Sequence, residues 1–119
     1  MPEHTILVVE DDEFQRRQIV RLLTADGYTV LQASAGDEAI RIIGEQSLNL
    51  VLTDRKMPGM DGDSVFRYVR THHSHIPVVI VTAYPDGIES LEPDGLLVKP
   101  FMLDQLREQV RRLTERHDT

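Results

Sequence analysis

Thr5-Ile6-Leu7-Val8-Val9, running straight into Glu10-Asp11-Asp12-Glu13, is the stretch on which the reading of this chain turns. Five apolar or β-branched residues in an unbroken run describe a strand buried on both faces, because a strand with one wet face would alternate. Working outward, runs of the same kind recur at residues 29–33, 50–53, 78–81 and 96–98. Between them the apolar spacing becomes helical. Ile19, Leu22 and Leu23 share one face, as do Ala39, Ile42 and Ile43, and then Val65, Tyr68 and Val69. Leu103, Leu106, Val110 and Leu113 make the last helix the clearest. Asp26-Gly27 stops the first helix with a residue free to turn left-handed, and Ser34-Ala35-Gly36-Asp37 opens the second. Pro77 starts the fourth strand, where a missing N–H is tolerated.

Strands alternating with helices imply parallel pairing through right-handed crossovers. The expected fold is α/β, a doubly wound five-stranded parallel sheet of flavodoxin-like order 2-1-3-4-5. At 119 residues the chain suits a single domain, 1–119, without repeat or linker. Its 13 basic and 20 acidic residues give a formal charge of −7, which disfavours direct nucleic-acid binding through phosphate neutralisation. The lack of cysteine excludes disulfides, thiolate zinc sites, iron–sulfur clusters and a cysteine nucleophile. No apolar run has the length of a membrane span, and Met1-Pro2-Glu3-His4 does not open a signal peptide. A cytoplasmic protein that does not engage a membrane is expected.

In an open α/β sheet, ligands bind beyond the carboxyl ends of the strands. Those ends carry Glu10-Asp11-Asp12-Glu13, Asp54, Thr82-Ala83 and Lys99-Pro100. Strands 1 and 3 are neighbours in this order, so Glu10, Asp11 and Asp54 should converge. Three carboxylates repel one another, and a divalent cation together with Lys99 would balance them. Hard oxygen donors suit magnesium more than zinc. Each residue also has a plain explanation. Asp11 and Asp12 would serve as helix N-caps, and Asp54 as the opening of a turn before Met57-Pro58-Gly59. Thr82 would be an ordinary strand residue and Lys99 a solvated charge. Their joint placement at one sheet edge is what the plain explanations leave out.

The chain resembles the receiver domain of two-component response regulators. The matching stretches are Ile6-Leu7-Val8-Val9-Glu10-Asp11-Asp12, Asp54-Arg55-Lys56-Met57-Pro58-Gly59-Met60-Asp61-Gly62, Val81-Thr82-Ala83 and Lys99-Pro100-Phe101. The resemblance implies that Asp54 takes a phosphoryl group from a phosphohistidine of a sensor histidine kinase or histidine phosphotransfer protein. It implies Mg2+ held by Asp11 and Asp54, with Glu10 helping through water and the Lys56 carbonyl as a further ligand. Thr82 would hydrogen-bond a phosphoryl oxygen and Lys99 would pair with another, across a cis Lys99-Pro100 bond. Ala83 would border the site, and Lys56 and Tyr84 would flank the path of the hydrolytic water. Phosphoryl transfer asks chiefly for positioning and charge neutralisation, which these groups supply. The outcome would be a signalling switch acting on an output domain or protein partner, not a turnover enzyme. The chain would be a stand-alone regulator or a receiver from a longer regulator or hybrid kinase.

Two departures from the family pattern stand out. Between Pro85 and Pro93 lie only seven residues, which as a helix would span about 10 Å. The crossover helix between the fourth and fifth strands, helix 4 of the family, should be a single turn or missing, with the segment partly extended and mobile. Leu96 stands three residues before the lysine, where the family usually has an aromatic residue. Alternatives remain in view. A Mg2+-dependent phosphatase with an aspartyl-phosphate intermediate would want Asp-x-Asp after the first strand. A nucleotide or flavin binder would want a glycine-rich loop there. A receiver-like interaction module without phosphorylation would not need these competent site residues. His72, His73 and His75 read as a solvated loop just past the third helix. Arg107, Arg111, Arg112 and Arg116 are balanced by Asp104, Glu108, Glu115 and Asp118 on a charged helix face.

Overall fold

A computed structural model describes residues 4–115, so Arg116 and Asp118 lie outside the described residues. The order is β1 (Thr5–Val9), α1 (Glu13–Ala25), β2 (Thr29–Ala33), α2 (Gly36–Glu45), β3 (Leu50–Asp54), α3 (Gly62–His72), β4 (Val78–Thr82), β5 (Gly95–Val98) and α4 (Leu103–Glu115). The five strands form one parallel sheet in the order β2-β1-β3-β4-β5. This is the expected doubly wound sheet.

Strand periodicity of two divides the core between the two faces of the sheet. Leu7, Val9, Val51, Val78 and Ile80 pack with Ala39 and Ile43 of α2 and with Val65, Phe66 and Val69 of α3. Ile6, Val8, Leu50, Leu52, Val79, Val81 and Leu97 pack with Ile19 and Leu23 of α1 and with Leu106, Val110 and Leu113 of α4. β1, β3 and β4 are buried along nearly their whole length, whereas the edge strand β2 keeps Thr29 and Gln32 exposed. Only the central strands meet the expectation of an apolar layer on both faces.

The helix signals act as read. Asp26 is the C-cap of α1, and Gly27 follows at φ 99°, the left-handed turn that favours glycine. At the start of α2 the Ser34 N–H donates to Glu38 at 2.7 Å, four residues on. The third helix runs further than expected. His72 is its last residue and His73 its C-cap. Tyr68 lies against both imidazoles, with ring centroids 4.5 and 5.9 Å apart.

Between β4 and β5 the regular structure is a single 3-10 turn, Ile88–Ser90. The short crossover inferred from sequence is therefore what the chain forms. It closes as a turn, not as an extended strap, because Ile88 is buried and Leu91 packs on the α2–α3 core. Gly87 at φ 74° and Glu92 at φ 53° bracket it. Leu96 is half-buried against the same core, where an aromatic residue is usual in the family.

Candidate functional site

The carboxyl ends of β1, β3 and β5 bring Glu10, Asp54 and Lys99 to one place. Each continues the alternation of the strand residues that face α1 and α4: Val8 before Glu10, Leu52 before Asp54 and Leu97 before Lys99. Parallel register pairs Val9 with Thr53 and Thr82 with Val98, so the ends are level. The Lys99 N–H donates to the Thr82 carbonyl at 2.8 Å and carries the β4–β5 ladder one residue further. The Lys99-Pro100 peptide bond is cis.

Lys99 Nζ donates to Glu10 Oε1 at 2.9 Å, to Asp54 Oδ2 at 3.0 Å and to Gln15 Oε1 at 2.6 Å. Asp54 Oδ1 accepts from the Arg55 N–H at 2.7 Å. Glu10 Oε2 accepts from the Asp12 N–H at 3.2 Å. Among the described residues, Glu10, Asp11 and Asp54 are the one group of three whose ligand atoms approach within 4.8 Å of one another. Asp12 is not part of that group. Its Oδ1 accepts from the Gln15 N–H and caps α1, so the capping role falls to Asp12 and leaves Asp11 facing the cluster.

Thr82 is fully buried at the end of β4, and its Oγ1 accepts from the Tyr84 N–H at 2.9 Å. Ala83 and Tyr84 are exposed beyond it, and Lys56 is exposed in the loop after β3. Gln15 and Arg55 were not singled out from the sequence. Gln15 offers no pattern, since it meets Lys99 only through the placement of α1. Arg55 could have been noticed as a base directly after a strand-end acid, with a second acid, Asp63, eight positions on.

Burial pushes the Glu10 carboxyl up from an ordinary 4.5 to about 7, against the hydrogen bond from Lys99 that favours its charge. Burial opposes charge on Lys99 as well, but the hydrogen bonds to Glu10 and Asp54 outweigh it and hold the ammonium above its ordinary value. Because the folded pKa of Glu10 exceeds the unfolded one, the native state binds that proton more tightly. This contribution to stability is present below about pH 4.5 and is lost as pH rises through about 7. Urea titrations in chelator should show it as a difference. Relative to wild type, Glu10→Gln should gain stability steadily from about pH 5 to about pH 8, where glutamine has no proton to lose. A pH-independent difference would remove the burial argument.

The donor set fits a hard divalent cation. All three acids present oxygen, two are held in place by hydrogen bonds, and Asp11 is open to solvent. Both Glu10 oxygens already accept hydrogen bonds, so Asp11 is the freer ligand. Magnesium titration should therefore show Asp11→Ala weakening affinity by about tenfold or more, and Glu10→Ala by less. The reverse order would exchange their roles.

A level set of acids, a buried threonine and a lysine therefore stand together at the carboxyl edge of a 2-1-3-4-5 sheet. A sequence profile described as the response regulator receiver domain matches residues 6–111. The chain belongs to that family. It is 33% identical to sporulation initiation phosphotransferase F of Bacillus subtilis, covering 94% of each chain. It is 37% identical to a segment of the sensor kinase CckA of Brucella abortus, over 96% of this chain and 13% of the kinase. It spans about half, 51% and 49%, of the probable transcriptional regulators ycf27 of Porphyridium aerugineum and Cyanidium caldarium. Among solved structures, the response regulator TrrA of Thermotoga maritima, in complex with Mg2+ and BeF, superposes with a TM-score of 0.86 at 31% identity, covering 92% of this chain and 98% of that one.

Proposed function

We propose that this domain is a phosphorylation switch that accepts a phosphoryl group on Asp54 from a phosphohistidine of a sensor kinase or histidine phosphotransfer protein. The observation that carries the reading is Lys99 Nζ bridging Asp54 and Glu10 beside Asp11. In the transfer, an Asp54 carboxylate oxygen bonds to phosphorus as the P–N bond breaks, and the leaving imidazole keeps the electron pair and takes a proton. Asp54 is only partly exposed, and its Oδ1 is fixed by the Arg55 N–H, so Oδ2 is the oxygen presented with Lys99. Lys99 can pair with a phosphoryl oxygen while Gln15 and Glu10 hold its ammonium in reach. Thr82 has a hydroxyl proton to donate while its oxygen accepts from Tyr84. Asp11 and Asp54, with Glu10 assisting, would hold magnesium, which would supply further neutralisation of phosphoryl charge.

An apolar surface beside the acceptor supports a protein donor. An open cleft of 480 Å³ runs beside Lys99 and is lined by Phe14, Ile19, Pro100, Phe101 and Leu103. Phe14 and Leu103 in its lining are exposed, and so is Met102, next to Leu103 in the chain. Apolar exposure next to a charged acceptor suits a protein donor better than a small phosphate ester.

Incubation with acetyl phosphate and magnesium, read by intact mass, tests the reading. One stable addition of about 80 Da is expected. Continuous release of phosphate without an adduct would instead indicate a phosphatase, and no reaction a receiver-like module that works without phosphorylation.

A further inference from the structure

Arg55 stands next to Asp54, and its side chain is 13% exposed. A guanidinium that deep needs partners. Its Nε donates to Asp63 Oδ1 and Oδ2 at 3.0 and 3.3 Å, in the first turn of α3. Its Nη1 donates to two backbone carbonyls of the β4–β5 crossover, Tyr84 at 2.8 Å and Asp86 at 2.6 Å. Asp63 is itself only 17% exposed, so the pair is anchored at the α3 end and reaches outward to the crossover.

Tyr84 is thereby held at both backbone groups. Its N–H donates to Thr82 Oγ1 and its carbonyl accepts from Arg55. The first bond ends on the hydroxyl and the second on the residue whose own N–H donates to Asp54 Oδ1. A phosphoryl group on Asp54 alters both attachments. It removes carboxylate charge from the partner of the Arg55 N–H, and it offers the Thr82 hydroxyl a doubly charged acceptor. Beyond Asp86 the crossover is organised by the short turn bonds Ile88 N–H to Pro85 O, Ser90 N–H to Gly87 O and Leu91 N–H to Ile88 O, by the Ser90 hydroxyl donating to Gly87 O at 2.8 Å, and by the packing of Ile88 and Leu91. A longer helix would hold itself; this turn relies on the packing of Ile88 and Leu91 and on its tether.

We propose that Arg55 is a positioning residue that tethers the crossover turn to the phosphoacceptor and carries the state of Asp54 to it. This rests on the reading of Asp54 above. The element that responds is the segment 84–91, through the Arg55 fork, in a chain with neither a full crossover helix nor an aromatic residue at position 96.

Amide hydrogen exchange on the full chain tests this in two stages. In the unphosphorylated protein, Arg55→Gln should raise exchange at Ile88 and Leu91 by about tenfold or more, with β1 and β3 amides unchanged. Arg55→Lys should stay close to Arg55→Gln, because one ammonium cannot hold Asp63 and two carbonyls together. On adding acetyl phosphate and magnesium, exchange at Ile88 and Leu91 should change at least about threefold in wild type and stay flat in Arg55→Gln. Asp63→Asn, which keeps shape and releases the anchor, serves if Arg55→Gln does not fold, with the same expected direction. Wild-type exchange in the variants before phosphorylation would overturn the tether. A full phosphorylation-dependent change in Arg55→Gln would overturn the relay. Failure of wild type to take up phosphate, with the first-stage differences intact, would instead remove the reading of Asp54.

Discussion

Asp54→Asn is expected to take up no phosphoryl group from acetyl phosphate while keeping its fold. An amide is not a competent nucleophile toward phosphorus, so labelling should fall below about 1% of wild type. The scaffold has little reason to suffer. Asparagine can still accept from the Arg55 N–H through Oδ1. Lys99 loses one acceptor at 3.0 Å but keeps Glu10 and Gln15. One negative charge also leaves a cluster whose ligand atoms lie within 4.8 Å. Urea midpoints should be equal to wild type or slightly higher. Intact mass after incubation settles the first half and denaturation the second. A variant that still gains a phosphoryl group at the wild-type rate places the acceptor elsewhere.

Gly62→Ala should be the most damaging single methyl in the neighbourhood. Gly62 opens α3, and its N–H donates to the Arg55 carbonyl at 2.9 Å. A Cβ at this position would overlap the backbone carbonyl of Asp54, and backbone cannot swing aside as a side chain does. Either α3 lifts or the end of β3 shifts, at a cost of about 3 kcal/mol or more. With a urea slope of about 1–3 kcal/mol per molar, the midpoint should drop by about 1 M or more. Gly59→Ala is the companion measurement. Nothing lies near its added methyl, and only its φ of 77° resists the change, so about 1 kcal/mol is expected. Equal losses at both positions would mean that the approach of α3 to Asp54 is not tight.

The strands and the residues at their ends were legible because they depend on local pattern. Unbroken apolar runs announced β1, β3 and β4, and the alternation with helices ordered them. Glu10, Asp54, Thr82 and Lys99 could then be placed at one edge with no knowledge of side-chain contacts. The length of the segment 86–92 was enough to rule out a full crossover helix. What stayed hidden depends on distance across the fold. Gln15 reaches Lys99 across 84 positions, and Arg55 reaches Asp86 across 31. Neither contact leaves a periodic trace. His72 reads as loop from its sequence, yet it ends α3 with its ring against Tyr68, a contact that leaves no periodic trace.

The sheet places the apolar side chains of the cleft and those of the crossover turn in two different layers. Phe14 and Leu103 stand over the α1–α4 layer, and Ile88 and Leu91 rest on the α2–α3 layer. Substitutions on opposite sides of a packed sheet share no partners and should act additively. Divergence on one side therefore leaves the other intact. On the proposed function, such a chain could change which donor it recognises without relearning how it reports, and the reverse. Duplicated copies could drift apart in one property at a time, each intermediate still functional.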